Sequence, residues 1–310
     1  MDIVTRDDVA AAAGRVTGVV RRTPAVTLEG EAIGLDHAVV LKLDLLQVTG
    51  SFKARGATSL LSGVEVPPAG VVAASGGNFG LAIAWAAQQL GVPATIFVPD
   101  TSSPAKLARL RSLAPRLEVV AGYYAEALAA SRAFVADSGA LLAHAYDQRE
   151  VVAGQGTCAV ELSEQAELDT VLVAVGGGGL MAGIAGWYAG EVRVVAVETE
   201  ACPTLHAALA AGRPVDVEVG GIAADALGAR RVGSFGLAAA QAYVETSLLV
   251  SDEAVVDAQR RLWAATRLVA EPAGVAALAA LTCGAYRPGP GERVGVLVCG
   301  ANTDPASIAA

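Results

Sequence analysis

The chain of 310 residues carries 22 basic and 31 acidic side chains, a net charge of −9, with 54% hydrophobic and 17% charged residues. That is long and apolar enough for one large or two modest domains, and it excludes a disordered polyelectrolyte. No basic run with interleaved aromatics occurs, and the pI is near 4.9, so a nucleic-acid partner is not expected.

At the N-terminus, Met1-Asp2-Ile3-Val4-Thr5-Arg6-Asp7-Asp8 has acids where a signal peptide needs bases. Thr5 with Asp8 predicts a capping pair at a helix start. Apolar β-branched runs predict strands over 39–43, 71–75, 94–98, 141–144, 171–175, 194–198 and 294–299, with alanine-rich helical stretches between them. Ser103-Pro104 puts proline at a first helical position, and Ser251-Asp252-Glu253 puts acids at a positive helix end. This alternation predicts an α/β protein with mainly parallel sheets flanked by helices. The mean hydropathy of +0.50 raises a membrane span, and the uncharged stretch 171–190 is long enough on paper. Four glycines in a row inside it predict strand, turn and helix instead, so no membrane is expected. Cys158, Cys202, Cys283 and Cys299 form no Cys-x-x-Cys pair, which with the absent secretion signal predicts reduced thiols in the cytoplasm. His37, His144 and His206 lack metal-ligand spacing, and no metal site is expected from them.

Open α/β sheets bind ligands at the carboxyl ends of their strands, and four turns there stand out. They are Gln47–Gly56, Ser75-Gly76-Gly77-Asn78-Phe79-Gly80, Gly176–Gly179 and Cys299-Gly300-Ala301-Asn302. The tetraglycine, after a strand and before a helix, lets backbone N–H groups approach an anion at the positive end of the helix. Gly177-x-Gly179-x-x-Ala182 also fits a dinucleotide fingerprint, with Glu198 standing 21 residues after Gly177 where a ribose-binding acid belongs. The motif alone leaves NAD, another phosphate ligand and tight packing open. Lys53 decides among them. It is one of three lysines, with Lys42 and Lys106, and it lies in a Thr49-Gly50-Ser51 turn where desolvation would lower its pKa and make it a nucleophile able to form a Schiff base. A lysine, a separate phosphate cradle and a Ser-Gly-Gly-Asn loop together match the aldehyde, phosphate and ring hydroxyl of pyridoxal 5'-phosphate.

In these pieces the chain resembles a threonine/serine dehydratase of the tryptophan-synthase-β-like, fold type II pyridoxal-phosphate family. The resemblance runs through Arg22-Thr23-Pro24, Gln47-x-Thr49-Gly50-Ser51-Phe52-Lys53-x-Arg55-Gly56-Ala57, Ser75-x-Gly77-Asn78, Gly154-Gln155-Gly156-Thr157, Gly176–Gly179 with Leu180, Glu271-Pro272-Ala273-Gly274 and Cys299-Gly300-x-Asn302. It implies two domains, a large cofactor-binding one over 1–69 and 147–310 and a small mobile one over 70–146. It implies that Lys53 holds the cofactor and moves the Cα proton, and that Phe52 packs beside the ring. Asn78 bonds the ring hydroxyl, Gly176, Gly177, Gly178, Gly179 and Leu180 hold the phosphate, and Cys299 faces the pyridine nitrogen. Ser75, Gly76, Gly77 and Asn78 take the substrate carboxylate.

The activity so implied is an ammonia-lyase that converts L-serine or L-threonine to a 2-oxo acid, in a homodimer. β-Replacement, as in cysteine-synthase-like enzymes, and an NAD-dependent oxidoreductase stand as the alternatives. Phe79, where most dehydratases carry histidine, and Ala226, where the family carries glycine, leave the side chain accepted open. Glu198 reads either as a core-edge carboxylate or as a cation ligand without its expected second acid. The chain stops just past Asn302, so a regulatory domain and feedback inhibition are not expected.

Overall fold

Strands with unbroken apolar runs sit in the middle of two sheets, where helices cover both faces. The computed structural model describes residues 3–308 apart from 103, 114 and 115. In chain order the elements are α1 (Arg6–Val16), β1 (Ala25–Leu28), β2 (Val39–Lys42), α2 (Lys53–Gly63), β3 (Val71–Ala74), α3 (Asn78–Leu90), β4 (Ala94–Pro99), α4 (Pro104–Leu113), β5 (Arg116–Val120), α5 (Tyr124–Ser138) and β6 (Leu141–Leu142). They continue with α6 (Arg149–Gln165), β7 (Thr170–Ala174), α7 (Gly179–Tyr188), β8 (Arg193–Thr199), α8 (Thr204–Ala211), α9 (Ala224–Leu227), α10 (Ser234–Tyr243), β9 (Val244–Val250), α11 (Asp252–Thr266), α12 (Pro272–Thr282) and β10 (Val294–Leu297).

One sheet has the order β1-β2-β10-β7-β8-β9 and the other β5-β4-β3-β6. Among the strands of the described residues the β1–β2 pairing is antiparallel and the other strand pairings are parallel. In the four-stranded sheet the period of two is plain: Val71 and Ala73 pack with Ile96 and Val98 in one cluster, while Val72 packs with Phe97 in another. The first cluster takes in Ala57, Leu60 and Leu61 of α2, so the helix that begins at Lys53 packs against the layer of β3 and α3. The larger core surrounds the six-stranded sheet, with Val171–Val175, Val194–Val197 and Val294–Val298 buried.

Three strands, β1, β5 and β9, were not among the expected ones, and all three are sheet edges. Edge strands keep one side in water, so their sequences carry polar residues instead of an apolar run; β5 reads RLEVV and β9 reads VETSLLV. The caps match expectation where they are described. Thr5 and Asp8 form a capping box on α1, and Ser251 accepts from Ala254 N on α11. Pro104 opens α4, while Ser103 before it and Met1 and Asp2 lie outside the described residues. The 171–190 stretch is β7, the glycine turn and α7, and no described helix is long and apolar enough to cross a membrane.

Candidate active site

The chain runs from β7 out to β8 and β9, and β10 later returns to the other side of β7. The crevice at such a switch, beyond the strand ends, is where α/β sheets open for ligands. Here it is a cavity of about 810 Å³ lined by Phe52, Lys53, Ser75–Phe79, Gly176–Leu180 and Cys299, together with Glu271, Tyr146, Tyr124, Lys106 and residues 224–231, which are α9 and the turn after it. All the residues singled out in the four turns as cofactor or substrate contacts therefore meet at one place.

Backbone bonds hold the two halves of the cavity floor together. Ser51 bridges Gly300, Phe52 N donates to the Cys299 carbonyl at 3.1 Å, and Ala301 N donates to the Gly50 carbonyl at 2.8 Å. The turn before α2 is thus fastened to the end of β10, which brings Lys53 and Cys299, 246 positions apart in sequence, to one cavity. The Lys53 amine donates to the Ala145 carbonyl at 2.9 Å and lies 5.0 Å from the Phe52 ring centre and 5.7 Å from that of Phe79. No carboxylate among the described residues pairs with it. Burial pushes its pKa down to about 8, against the pull of Cys299 and Glu271. The Cys299 thiol is buried, bonds only weakly to the Ala273 carbonyl at 3.7 Å, and is pushed up by burial, so it is a neutral group at ordinary pH.

Of the helices that begin at this cavity, α2 at Lys53, α3 at Asn78 and α7 at Gly179 have no side-chain cap. In α2 the first turn is partly satisfied, since Arg55 N donates to the Phe52 carbonyl and Gly56 N to Gln155 Oε1. At α3 and α7 the leading N–H groups are left for something else, and all three dipoles place partial positive charge at the cavity. In the tetraglycine turn, a Cβ on Gly177 would overlap the Tyr146 ring, and one on Gly178 (φ 92°) would stand 2.9 Å from Gly236 Cα. The glycines serve tight packing as well as an open backbone face.

Several cavity residues carry no earlier assignment. Glu271 at the start of α12 accepts from Asn78 Nδ2 at 2.7 Å, and burial pushes its carboxyl up to about 7. Its motif was visible in the sequence, but its partner was not. Lys106 of α4 pairs with Asp225 across the cavity mouth. Tyr146, placed by the turn after β6, donates to the Arg231 carbonyl at 3.3 Å, and no sequence signal marked it. Phe79 is buried and Tyr124 is exposed, and both line the cavity. Glu198 lies elsewhere: its two oxygens accept from Leu205 N and His206 N, each at 2.7 Å, so the carboxylate caps α8 at the edge of the core. No group of three possible metal ligands gathers among the described residues.

An amine of depressed pKa and helix N-termini without side-chain caps around a sheet-end crevice suit an enzyme that binds a phosphorylated aldehyde cofactor. This chain belongs to the pyridoxal-phosphate dependent enzyme family, whose model matches residues 16–300. It is 35% identical to a phenylserine dehydratase from Ralstonia pickettii, over 100% of this chain and 97% of that one. It is 33% identical to an L-threonine ammonia-lyase from Thermotoga maritima, over 97% of this chain and 76% of that one. A threonine deaminase structure from T.th. superposes with a TM-score of 0.89 at 35% identity, covering 97% and 99% of the two chains. A maize serine racemase superposes with a TM-score of 0.92 at 26% identity, covering 99% and 96%. The fold is that of the fold type II enzymes, and the chain is a pyridoxal-phosphate-dependent lyase of the dehydratase type.

The residues present fit that cofactor. The uncapped start of α7 and its glycine turn offer N–H groups to a phosphate, Lys53 offers an amine without an acidic partner to an aldehyde, and Asn78 and Cys299 offer uncharged polar atoms to a ring.

Proposed function

We propose that the chain removes water and ammonia from a β-hydroxy amino acid, with L-threonine or L-serine as the simplest substrates, to leave a 2-oxo acid. The observation that carries this is Lys53: a half-buried amine, without an acidic partner, beside the rings of Phe52 and Phe79 at the start of a helix with no side-chain cap. Pyridoxal phosphate, when bound, supplies the electron sink that makes the Cα proton of an amino acid acidic. Lys53 would hold the cofactor, and its freed amine would take the Cα proton. A pKa near 8 leaves a useful neutral fraction for that task near neutral pH.

Gly176–Gly179 and Leu180 would hold the phosphate, and Cys299 would meet the ring nitrogen with a neutral thiol. Asn78 would bond the ring oxygen, and Phe52 would pack beside the ring. The Ser75–Asn78 turn, at the start of uncapped α3, would take the substrate carboxylate. After the hydroxyl leaves as water, hydrolysis of the unsaturated amine gives the 2-oxo acid and ammonia.

Residues 70–146 form the smaller domain in this reading, inserted between 1–69 and 147–310 and able to close on substrate. Support for the smaller unit comes from the four-stranded sheet and its own apolar clusters. Four free cysteines support a reducing, cytoplasmic setting, and the family resemblance supports a homodimer.

One observation favours a bulkier side chain. Phe79 and Tyr124 both line the cavity, and the Ralstonia pickettii relative is a phenylserine dehydratase. An aryl β-hydroxy amino acid is therefore the second reading. The test is 2-oxo-acid release by purified protein with cofactor, comparing L-threonine, L-serine and phenylserine, with borohydride reduction and peptide mass mapping. Pyridoxyl mass on Lys53 and release from L-threonine or L-serine support the first reading, and release from phenylserine alone supports the second. A protein that turns over none of them, or is labelled at another lysine, refutes the assignment.

A further inference from the structure

Asn78 does not stand alone in the cavity. Its Nδ2 donates to Glu271 Oε1 at 2.7 Å, and its Oδ1 accepts from Asn302 Nδ2 at 2.5 Å. Asn302 Nδ2 also donates to the Thr49 carbonyl at 2.9 Å, and its Oδ1 accepts from the Arg109 guanidinium. Arg109 also reaches the Thr49 carbonyl through Nη2 at 3.0 Å. The row begins with a group that can only donate and ends at a carboxylate that, when ionised, can only accept. Both amides between them are thereby given one direction. A reversed Asn78 would set oxygen against the Glu271 carboxylate and N–H against the Asn302 N–H. Two glycines make room for the row: a Cβ on Gly50 (φ 78°) would stand 2.5 Å from Asn302 Oδ1, and one on Gly300 would overlap Glu271 Oε1.

We infer that Arg109 and Asn302 are positioning residues that fix the amide of Asn78 so that an N–H, not a carbonyl, is presented to the cofactor's ring oxygen. Of the two hydrogens on Asn78 Nδ2, one is committed to Glu271, and the second is the one left for a ligand. Arg109 lies on α4, beside the four-stranded sheet, whereas Thr49, Glu271 and Asn302 belong with the six-stranded one. The row therefore also ties the position of α4 to the direction of the amide. This inference rests on the reading that Asn78 faces the cofactor.

The experiment measures cofactor affinity, by fluorescence titration and dialysis, and the pH titration of the bound cofactor's absorbance. The variants are Asn302→Asp, Arg109→Ala, Arg109→Lys and Asn78→Ala, alone and combined. Asn302→Asp keeps the acceptor for Arg109 and removes the donor to Asn78, so affinity should weaken about tenfold and the absorbance titration should move. Arg109→Ala, at an exposed position, should weaken affinity about threefold, with recovery in Arg109→Lys. This second variant tests the same row should Asn302→Asp fail to fold. In an Asn78→Ala background neither change should have a further effect. If Asn78→Ala alters affinity and absorbance while the other variants match the parent, or act equally without Asn78, the inference is overturned and the reading of Asn78 stands. If Asn78→Ala changes neither, that reading falls with it.

Discussion

Arg55 and Asp44 are both fully buried and meet through two parallel contacts, Nε to Oδ2 at 2.7 Å and Nη2 to Oδ1 at 2.9 Å. Arg55 stands two residues after Lys53 on α2 but is directed away from the cavity, where Glu161, Thr157 and Thr23 complete its bonds. Burial alone would raise the Asp44 carboxyl, yet Arg55 bearing on it holds it below its ordinary range. The arginine of the Lys-x-Arg-Gly run is thus a fastening for the start of α2.

Arg55→Met leaves Asp44 buried without its partner, and the expected loss of stability is about 3–5 kcal/mol. Arg55→Lys keeps the charge but not the fork and should recover only part of it. Urea unfolding of the three proteins checks this. A shift under about 1 kcal/mol in Arg55→Met would mean that the cluster relaxes or admits water and does not anchor Lys53.

Gly178 and Gly190 share a left-handed backbone, φ 92° and 89°, but only Gly178 has protein atoms where a Cβ would go. Gly190→Ala should cost about 1 kcal/mol from backbone strain alone. Gly178→Ala adds the collision with Gly236 and should lower the melting temperature further, with loss of bound cofactor on dialysis. Equal behaviour of the two variants would show that the turn yields freely at Gly178.

The parts of the site that the sequence made legible are those whose chemistry is local. A glycine run between an apolar strand and a helix, and a lysine in a glycine-serine turn, declare themselves because backbone conformation and burial follow from neighbours in the chain. Central strands were readable for the same reason, since burial on both faces leaves continuous apolar runs such as Val171–Val175. The edges β1, β5 and β9 were not, because one exposed side breaks the run. Relationships across the fold left no local trace. Glu271 meets Asn78 193 positions away, Tyr146 covers Gly177, and Glu198 closes α8, a role that spacing alone could not separate from a ribose or cation contact.

The four thiols differ in access. Cys158, Cys202 and Cys299 are buried and Cys283 is exposed, and burial pushes the Cys158 and Cys299 thiols up, away from the reactive thiolate. A disulfide reagent added to native protein should therefore modify one thiol rapidly, and Cys283→Ser should remove that phase. A second rapid thiol mapping to Cys299 would show that the cavity floor opens to reagent and that its thiol is not held neutral.

Lys53→Met should abolish 2-oxo-acid formation, since the amine that would hold the cofactor and the base that would take the Cα proton are the same group. The same substitution makes a prediction for the cofactor-free protein. The Lys53 pKa falls from 10.5 to about 8 on folding, chiefly through burial. Between those values the unfolded chain holds a proton that the folded chain has released, so the parent gains stability as pH rises through the window. Below about 8 both states are protonated, and the folded protein bears the full penalty of a buried charge. Lys53→Met lacks that penalty and should be the more stable protein at neutral pH, by on the order of 1–3 kcal/mol, the lower figure applying if water in the cavity screens the amine. Its advantage should shrink from pH 8 upward and vanish near 10.5. Denaturant midpoints of both proteins, taken across that range after removal of cofactor, give the comparison directly. A constant difference between the two curves would place the Lys53 amine in a solvated position with an ordinary pKa.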